Sequence, residues 1–139
     1  MQQPPSLPFP WRSPAVWLTG LITAMMAFNA WQAFADPAAF AERFGLAGAA
    51  DADAGFVQVY AARALFLALA PAVLLGLREF RALGWFAGVA VVIPLADAAL
   101  VSAANGPGSI ISRHIIIAAY LVVTAALLLR LAARQERGA

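Results

Sequence analysis

The sequence contains no cysteine, no lysine and a single histidine, His114. The absence of cysteine excludes disulfides, thiol catalysis and thiolate metal sites. Only 12% of the residues are charged, about half of the ~25% that is typical of soluble domains. Arginine carries all of the formal positive side-chain charge, and the arginines are scattered instead of forming the dense basic blocks that bind nucleic acid. We therefore expect no nucleic-acid partner.

Hydrophobic residues make up 63% of the chain and occur in runs of nearly membrane-spanning length. Because about 20 apolar residues cross a bilayer as a helix, this composition predicts an integral membrane protein. The predicted spans cover residues 15–35, 56–77, 82–104 and 109–133. Short connections between the spans favour an all-α four-helix bundle with up-down-up-down topology. The transmembrane domain over 15–133 lies between a proline-rich segment, 1–14, and a tail, 134–139.

A short interfacial helix is predicted between the first two spans. Asp36 is a favourable N-cap, Pro37 suits the first helical position, and Gly45 is a plausible end. Phe40 and Phe44 are four residues apart and share one face, as expected for a helix lying on the bilayer surface. An acidic loop over 48–55 follows.

The end of the first span has a competing interpretation. The sequence Ala33-Phe34-Ala35 before Asp36 resembles a signal-peptidase site. The preceding apolar run is, however, longer than the roughly 7–15 residues of a signal h-region. We therefore expect the first span to be retained.

Arginine placement predicts the orientation of the bundle. Six arginines lie at one end of the predicted spans, namely Arg12, Arg78, Arg81, Arg130, Arg134 and Arg137. The other end has Arg43 and Arg113 together with Asp36, Glu42, Asp51 and Asp53. The positive-inside rule then places both termini in the cytoplasm of a multi-pass protein, which we expect in a bacterial inner membrane.

Asp97 lies within an otherwise apolar run, and a carboxylate at membrane depth is costly unless it is paired. Counting 1.5 Å per residue puts Asp97 and Arg63 at one depth, about 10 Å below the outer boundary. We therefore predict an Arg63–Asp97 ion pair, which either belongs to a working site or only fixes helix register. Other polar residues reach a similar level, namely Asn29, Gln32, Tyr60 and His114. Together these residues predict a polar layer that binds a ligand.

The third span also carries a glycine motif. Gly84 and Gly88 are four residues apart, which allows close packing against a neighbouring span or a second protomer. Ala90 and Pro94 share the face of Asp97 and leave room beside it. One histidine and one intramembrane carboxylate are too few for a typical zinc or di-iron site. We expect no metal and no cofactor.

Four segments resemble the DoxX-like superfamily of small four-helix membrane proteins, and within it a family of unknown function. They are DPAAFAERFGL (36–46), YAARALFLAL (60–69), IPLADAALV (93–101) and RHIIIAAYLVV (113–123). The resemblance extends over about 15–133 and implies that Arg63, Asp97 and His114 occupy characteristic polar positions. It also implies an association with quinone-linked redox complexes for some members.

Three functions are compatible with these features. The first is a binding protein whose outer polar layer, including Asn29, Tyr60, Arg63, Asp97 and His114, holds a small lipophilic or anionic ligand such as a quinone or a lipid. The second is an accessory subunit of a larger membrane complex, or a homo-oligomer. The third is an acid–base enzyme in which Asp97 or His114 exchanges a proton with an isoprenoid-like substrate.

Overall fold

A computed structural model describes residues 9–44 and 54–138, and the regular structure in these ranges is entirely α-helical. The helices are α1 (Pro14–Ala35), α2 (Pro37–Phe44), α3 (Ala54–Gly76), α4 (Phe80–Ala90), α5 (Val92–Ala103) and α6 (Gly108–Gly138). The all-α prediction is confirmed for this part of the chain. The predicted helix end at Gly45, most of the acidic loop and most of the proline-rich segment lie outside the described residues.

Three helical segments are long and apolar enough to cross a membrane, namely Val57–Gly76, Phe80–Ala103 and Gly108–Arg137. Their length and composition identify a membrane protein. The remaining long helix, α1, has 22 residues and would extend about 33 Å, which also exceeds a hydrocarbon core of ~30 Å. It is less apolar than these three segments, because polar side chains such as Asn29 and Gln32 lie in its last turns.

The short helix α2 begins as the sequence predicts. The Asp36 carboxylate accepts a hydrogen bond from the Ala39 amide at 3.0 Å, and Pro37 occupies the first helical position. This bond satisfies one of the amide donors that a helix start leaves without an intrahelical partner. The rings of Phe40 and Phe44 lie 6.1 Å apart, so both aromatic side chains belong to one face of α2.

The third predicted span is interrupted at Val91, which separates α4 from α5. Pro94 explains the interruption, because proline has no amide hydrogen and cannot bond the carbonyl four residues before it. Val91 nevertheless keeps helical dihedral angles, φ −55° and ψ −30°. The two helices therefore form one membrane-length segment with a local irregularity that the periodicity of the sequence did not predict.

The connection between the third and fourth predicted spans is short, as expected, since α5 ends at Ala103 and α6 begins at Gly108. Asn105 adopts the left-handed conformation, with φ 53°, which asparagine tolerates better than most residues. Ser109 lies inside the first turn of α6. At its other end α6 continues to Gly138, beyond the predicted limit at 133.

The helices pack as two neighbouring pairs. Helix α1 packs along α3, while α6 packs against both α4 and α5 and also reaches α1. The buried core forms two clusters. One joins the start of α1 to α4 and the last half of α6 through Ala15, Val16, Phe80, Leu83, Ala87, Ala125, Leu128 and Ala132. The other joins the end of α1, α2 and the start of α3 through Ala33, Phe40, Ala41, Val57 and Ala61.

The glycine motif of α4 belongs to the interface with α6. A Cβ atom placed on Gly84 would lie 2.8 Å from Cγ of Leu129 and 3.3 Å from its backbone nitrogen. At Gly88 the nearest atom would be Cβ of Ala125, at 3.9 Å. The glycine motif allowed packing against a neighbouring span or a second protomer. At Gly84 the structure shows the neighbouring span, α6.

Candidate functional site

A cavity of about 450 Å³ lies among α1, α2, α3, α4, α5 and α6. One end of the cavity is polar and the rest is almost entirely apolar. The polar end is lined by Asn29, Gln32, Arg43, Tyr60, Arg63, Asp97, Arg113 and His114. All of the residues that the sequence suggested for the polar layer therefore line one cavity, although they come from every predicted span. Their role in ligand binding stays a prediction.

Asp97 and His114 lie beside one another at the polar end. Oδ2 of Asp97 lies 4.0 Å from Nδ1 of His114, and the two side chains are 19% and 6% exposed. Nε2 of His114 is buried and has no hydrogen-bond partner in the described structure. A buried polar atom without a partner costs free energy, so such an atom in a cavity wall marks a position suited to a polar ligand atom.

Arg63 does not pair with Asp97, and this part of the sequence prediction is wrong. In the described ranges, Arg81 and Glu136 form an ion pair, and the carboxylate of Asp97 lies within 4.0 Å of His114 and not of Arg63. The depth count was compatible with an ion pair, but depth does not give the direction in which a side chain lies around the helix axis. Helix α3 packs mainly on α1 and α5 packs on α6, so Arg63 and Asp97 line the same cavity from different helix pairs.

A second group of polar contacts ties α2 to its neighbours. Arg43 donates from Nη1 to Oε1 of Gln32 at 2.8 Å and from Nε to the Ala39 carbonyl at 3.0 Å. Arg113 of α6 donates to the Arg43 carbonyl at 3.0 Å. This last bond satisfies a carbonyl at the end of α2 and brings a positive charge to the negative end of the helix dipole.

Aromatic side chains of α2 cover the polar end of the cavity. The ring of Phe44 lies 5.1 Å from that of His114 and 5.2 Å from that of Tyr60. Phe40 adds a third contact, with its ring 5.0 Å from Tyr60. The sequence predicted that Phe40 and Phe44 share a face of α2, but it did not assign that face to the site. The missed signal was the amphipathic pattern of α2 immediately beside a buried polar layer.

The remainder of the cavity is lined mainly by aliphatic and thioether side chains. They include Ile22, Met25, Met26, Leu67, Pro71, Leu83, Ile93, Pro94, Ile117, Leu121 and Leu128, with Phe86 and small alanines such as Ala90 between them. Thr19 and Thr124 also line this part, but each hydroxyl donates to a carbonyl of its own helix, Ala15 and Tyr120 respectively. This part of the wall is therefore chemically apolar.

The described side chains hold no group of three or more histidine, cysteine or acidic residues arranged to bind a metal ion. The chemistry that the cavity offers is instead that of guanidinium donors, one carboxylate, one imidazole and a phenol at one end of an apolar space. Such a combination suits a molecule with a polar head and an apolar body.

The helices and the cavity define a class: a membrane protein, helical in its described residues, with an amphipathic cavity. Within this class, the chain belongs to the family described as Domain of unknown function (DUF4267), whose model matches residues 23–128. The matched range includes every residue of the polar end of the cavity. No curated protein matches the chain. No solved structure matches it either.

Proposed function

We propose that this protein is a four-span membrane bundle that binds one amphipathic, lipid-like molecule in its cavity. The observation that carries the proposal is the division of one continuous cavity into a polar end and an apolar remainder. In this proposal α1 is the fourth span. It has membrane length and packs along α3, one of the three strongly apolar segments. Up-down-up-down topology and a place within the DoxX-like superfamily are part of the same proposal.

The length of the cavity fits an extended ligand. His114 and Leu128 both line it and are separated by 14 helical residues, which corresponds to about 21 Å. Asp97 and Leu83 are separated by the same number of residues on α4 and α5. A volume of about 450 Å³ lies within the roughly 300–1,000 Å³ that is typical of small-molecule sites. A cavity of about 450 Å³ that extends over this length accommodates one apolar chain and its head better than a bulky, rounded ligand.

The proposed orientation places the polar end toward the outer leaflet of the inner membrane, with both termini in the cytoplasm. Six arginines near the opposite end of the bundle support it through the positive-inside rule. A reporter fused after Ala139 should accordingly give a cytoplasmic signal, and one inserted near Ala52 an external signal. The reverse pattern would place the polar layer in the inner leaflet.

Binding can be tested with a variant that fills the apolar part of the cavity. Ala90 lines the cavity, whereas Ala99 is exposed on the outside of α5 and provides a matched control. After purification in mild detergent, mass spectrometry should detect a small lipophilic molecule with the wild type and with Ala99→Phe. Ala90→Phe should retain less than about a tenth as much, since a loss of 1.4 kcal/mol in binding free energy is already tenfold. Equal amounts in all three proteins would contradict the proposal.

A second candidate function is acid–base catalysis on the bound molecule. It is supported by the Asp97–His114 pair, because a carboxylate beside Nδ1 can orient the imidazole while Nε2 exchanges a proton with a substrate. If the protein converts the copurified molecule into a product, and Asp97→Asn abolishes this turnover, catalysis would be favoured over binding alone.

The hypothesis of an accessory subunit predicts a different response to mutation. A subunit that only docks to a larger complex, or to a second copy, should keep its function in Asp97→Asn and lose it when the lipid-facing surface is altered. Exposed side chains such as Trp85 and Val89 on α4 are suitable positions for that comparison. Loss of function in Asp97→Asn with an intact protein would argue against the accessory role.

A further inference from the structure

The polar end of the cavity carries an excess of positive charge. Arg43, Arg63 and Arg113 line it, and Asp97 is its one acidic residue among the described side chains. With His114 neutral, these groups give a formal charge of +2. None of the three arginines lies within 4.0 Å of a carboxylate in the described ranges.

The protein contacts of these arginines leave most of their donors available. Arg43 donates to neutral oxygen atoms of Gln32 and Ala39, and Arg113 donates to the carbonyl of Arg43. The side chain of Arg63 makes no hydrogen bond or ion pair with another described residue. A guanidinium has five N–H donors in a planar fork that matches the oxygen atoms of a carboxylate or phosphate. Arginines on α2, α3 and α6, all of them exposed, thus line a single cavity.

Nε2 of His114 adds a second, independent indication of a polar ligand atom in this space. The imidazole is 94% buried by side-chain area, lines the cavity and leaves Nε2 without a partner. An anionic ligand oxygen near the arginines can accept a hydrogen bond from Nε2 when that atom carries the proton. The charge excess favours an ionised head over an alcohol or a neutral quinone carbonyl, because only an anion compensates the guanidinium charges.

We propose that the ligand is a single-chain amphiphile with an anionic oxygen head, a carboxylate or a phosphate ester. The head lies among Arg43, Arg63 and Arg113, and the chain extends along the apolar part of the cavity toward Leu83 and Leu128. This inference rests on the proposed binding function and specifies the chemistry of the molecule bound. The same arginines can also meet phosphate groups of the surrounding bilayer, so the test must separate a molecule inside the cavity from lipid at the surface.

The experiment compares probes that share one chain and differ in the head: dodecyl phosphate, dodecanoate, dodecanol and dodecylamine. Each is titrated calorimetrically into the full-length protein in nanodiscs of a zwitterionic phospholipid. The two anions should bind at least about tenfold more tightly than the alcohol, and the amine should bind most weakly. Arg63→Gln and Arg113→Gln should each weaken anion binding by about 10- to 100-fold, as expected for a lost charge-assisted hydrogen bond.

Two further variants locate the probe. Arg130→Gln removes an exposed arginine that does not line the cavity and should leave anion binding unchanged. Ala90→Phe should abolish anion binding if the chain lies in the cavity. Retained anion binding in Ala90→Phe, lost only with the arginine variants, would assign the arginines to bilayer headgroups and overturn the inference. Arg63→Lys keeps the charge and, if Arg63→Gln does not fold, should retain part of the preference for anions.

The outcomes distinguish this inference from the function on which it rests. If dodecanol and dodecyl phosphate bind with equal affinity, and Ala90→Phe abolishes the binding of both, the proposal of an anionic head is wrong. The cavity would still bind a lipid-like molecule. Tighter binding of the amine would also overturn it. Binding of none of the four probes would contradict the lipid-binding function itself.

Discussion

Replacing Asp97 or His114 should destabilise the protein, and the two effects should not add. Asp97→Leu leaves the buried imidazole without its carboxylate, and His114→Leu leaves the carboxylate without its nearest partner. Each change should cost about 1–3 kcal/mol of unfolding free energy, the usual cost of a buried polar group deprived of its partner. The double variant should lose less than the sum, with a coupling of about 0.5–3 kcal/mol. Unfolding in mixed detergent micelles measures all three losses.

Arg63 provides the matched control for this cycle. Arg63→Met removes a charge that lines the same cavity but is not paired with Asp97. Combined with Asp97→Leu, it should therefore show a smaller coupling than His114→Leu does. If Arg63 and Asp97 instead couple more strongly than Asp97 and His114, the ion pair predicted from helix depth exists in the membrane and the assignment of the His114 partner is wrong.

Gly84→Ala should destabilise the packing of α4 on α6. The added methyl group would lie 2.8 Å from Cγ of Leu129, closer than van der Waals contact, and 3.3 Å from the Leu129 backbone nitrogen. Rotation of the leucine side chain does not move that nitrogen, so the helices must separate slightly. Overpacking of this kind costs about 1–3 kcal/mol. The same unfolding measurement detects it.

Gly88 is a control within the same motif. Its added methyl group would meet Cβ of Ala125 at 3.9 Å, an ordinary contact, and Gly88 is exposed. Gly88→Ala should therefore leave stability within about 0.5 kcal/mol of the wild type, or raise it slightly, since alanine is the better helix former. A loss of stability at Gly88 equal to that at Gly84 would contradict this packing and would indicate that Gly88 contacts a surface outside the single chain.

The features that depend on local sequence could be predicted. Asp36 and Pro37 begin α2 because capping is a local hydrogen-bond requirement, and Asn105 forms its turn because few residues tolerate a positive φ. Hydropathy identified the three strongly apolar segments in the same way. The depth of polar residues could also be counted, because the rise of a helix is fixed. This is why residues as distant as Asn29 and His114 were assigned to one layer.

The features that depend on how helices face one another could not be predicted. The Arg63–Asp97 prediction failed because two residues at equal depth can lie on helices that pack against different neighbours. For the same reason, the sequence did not determine whether Gly84 packs against a neighbouring span or a second protomer. Arg43 and Phe44 were not assigned to the cavity, because the position of α2 depends on contacts with α3 and α6 rather than on its own sequence.

The hydrogen bond from Arg113 to the Arg43 carbonyl has a consequence for local unfolding. A helix of eight residues is too short to persist in isolation, because helices below about 12–15 residues are marginal in water. The order of α2 therefore depends on contacts made by α1, α3 and Arg113 of α6. Short helices that depend on such contacts unfold locally at a lower free energy than the long helices against which they pack. The amide hydrogens of α2 should exchange with solvent well before those of α6, and a molecule bound beneath Phe44 would slow that exchange.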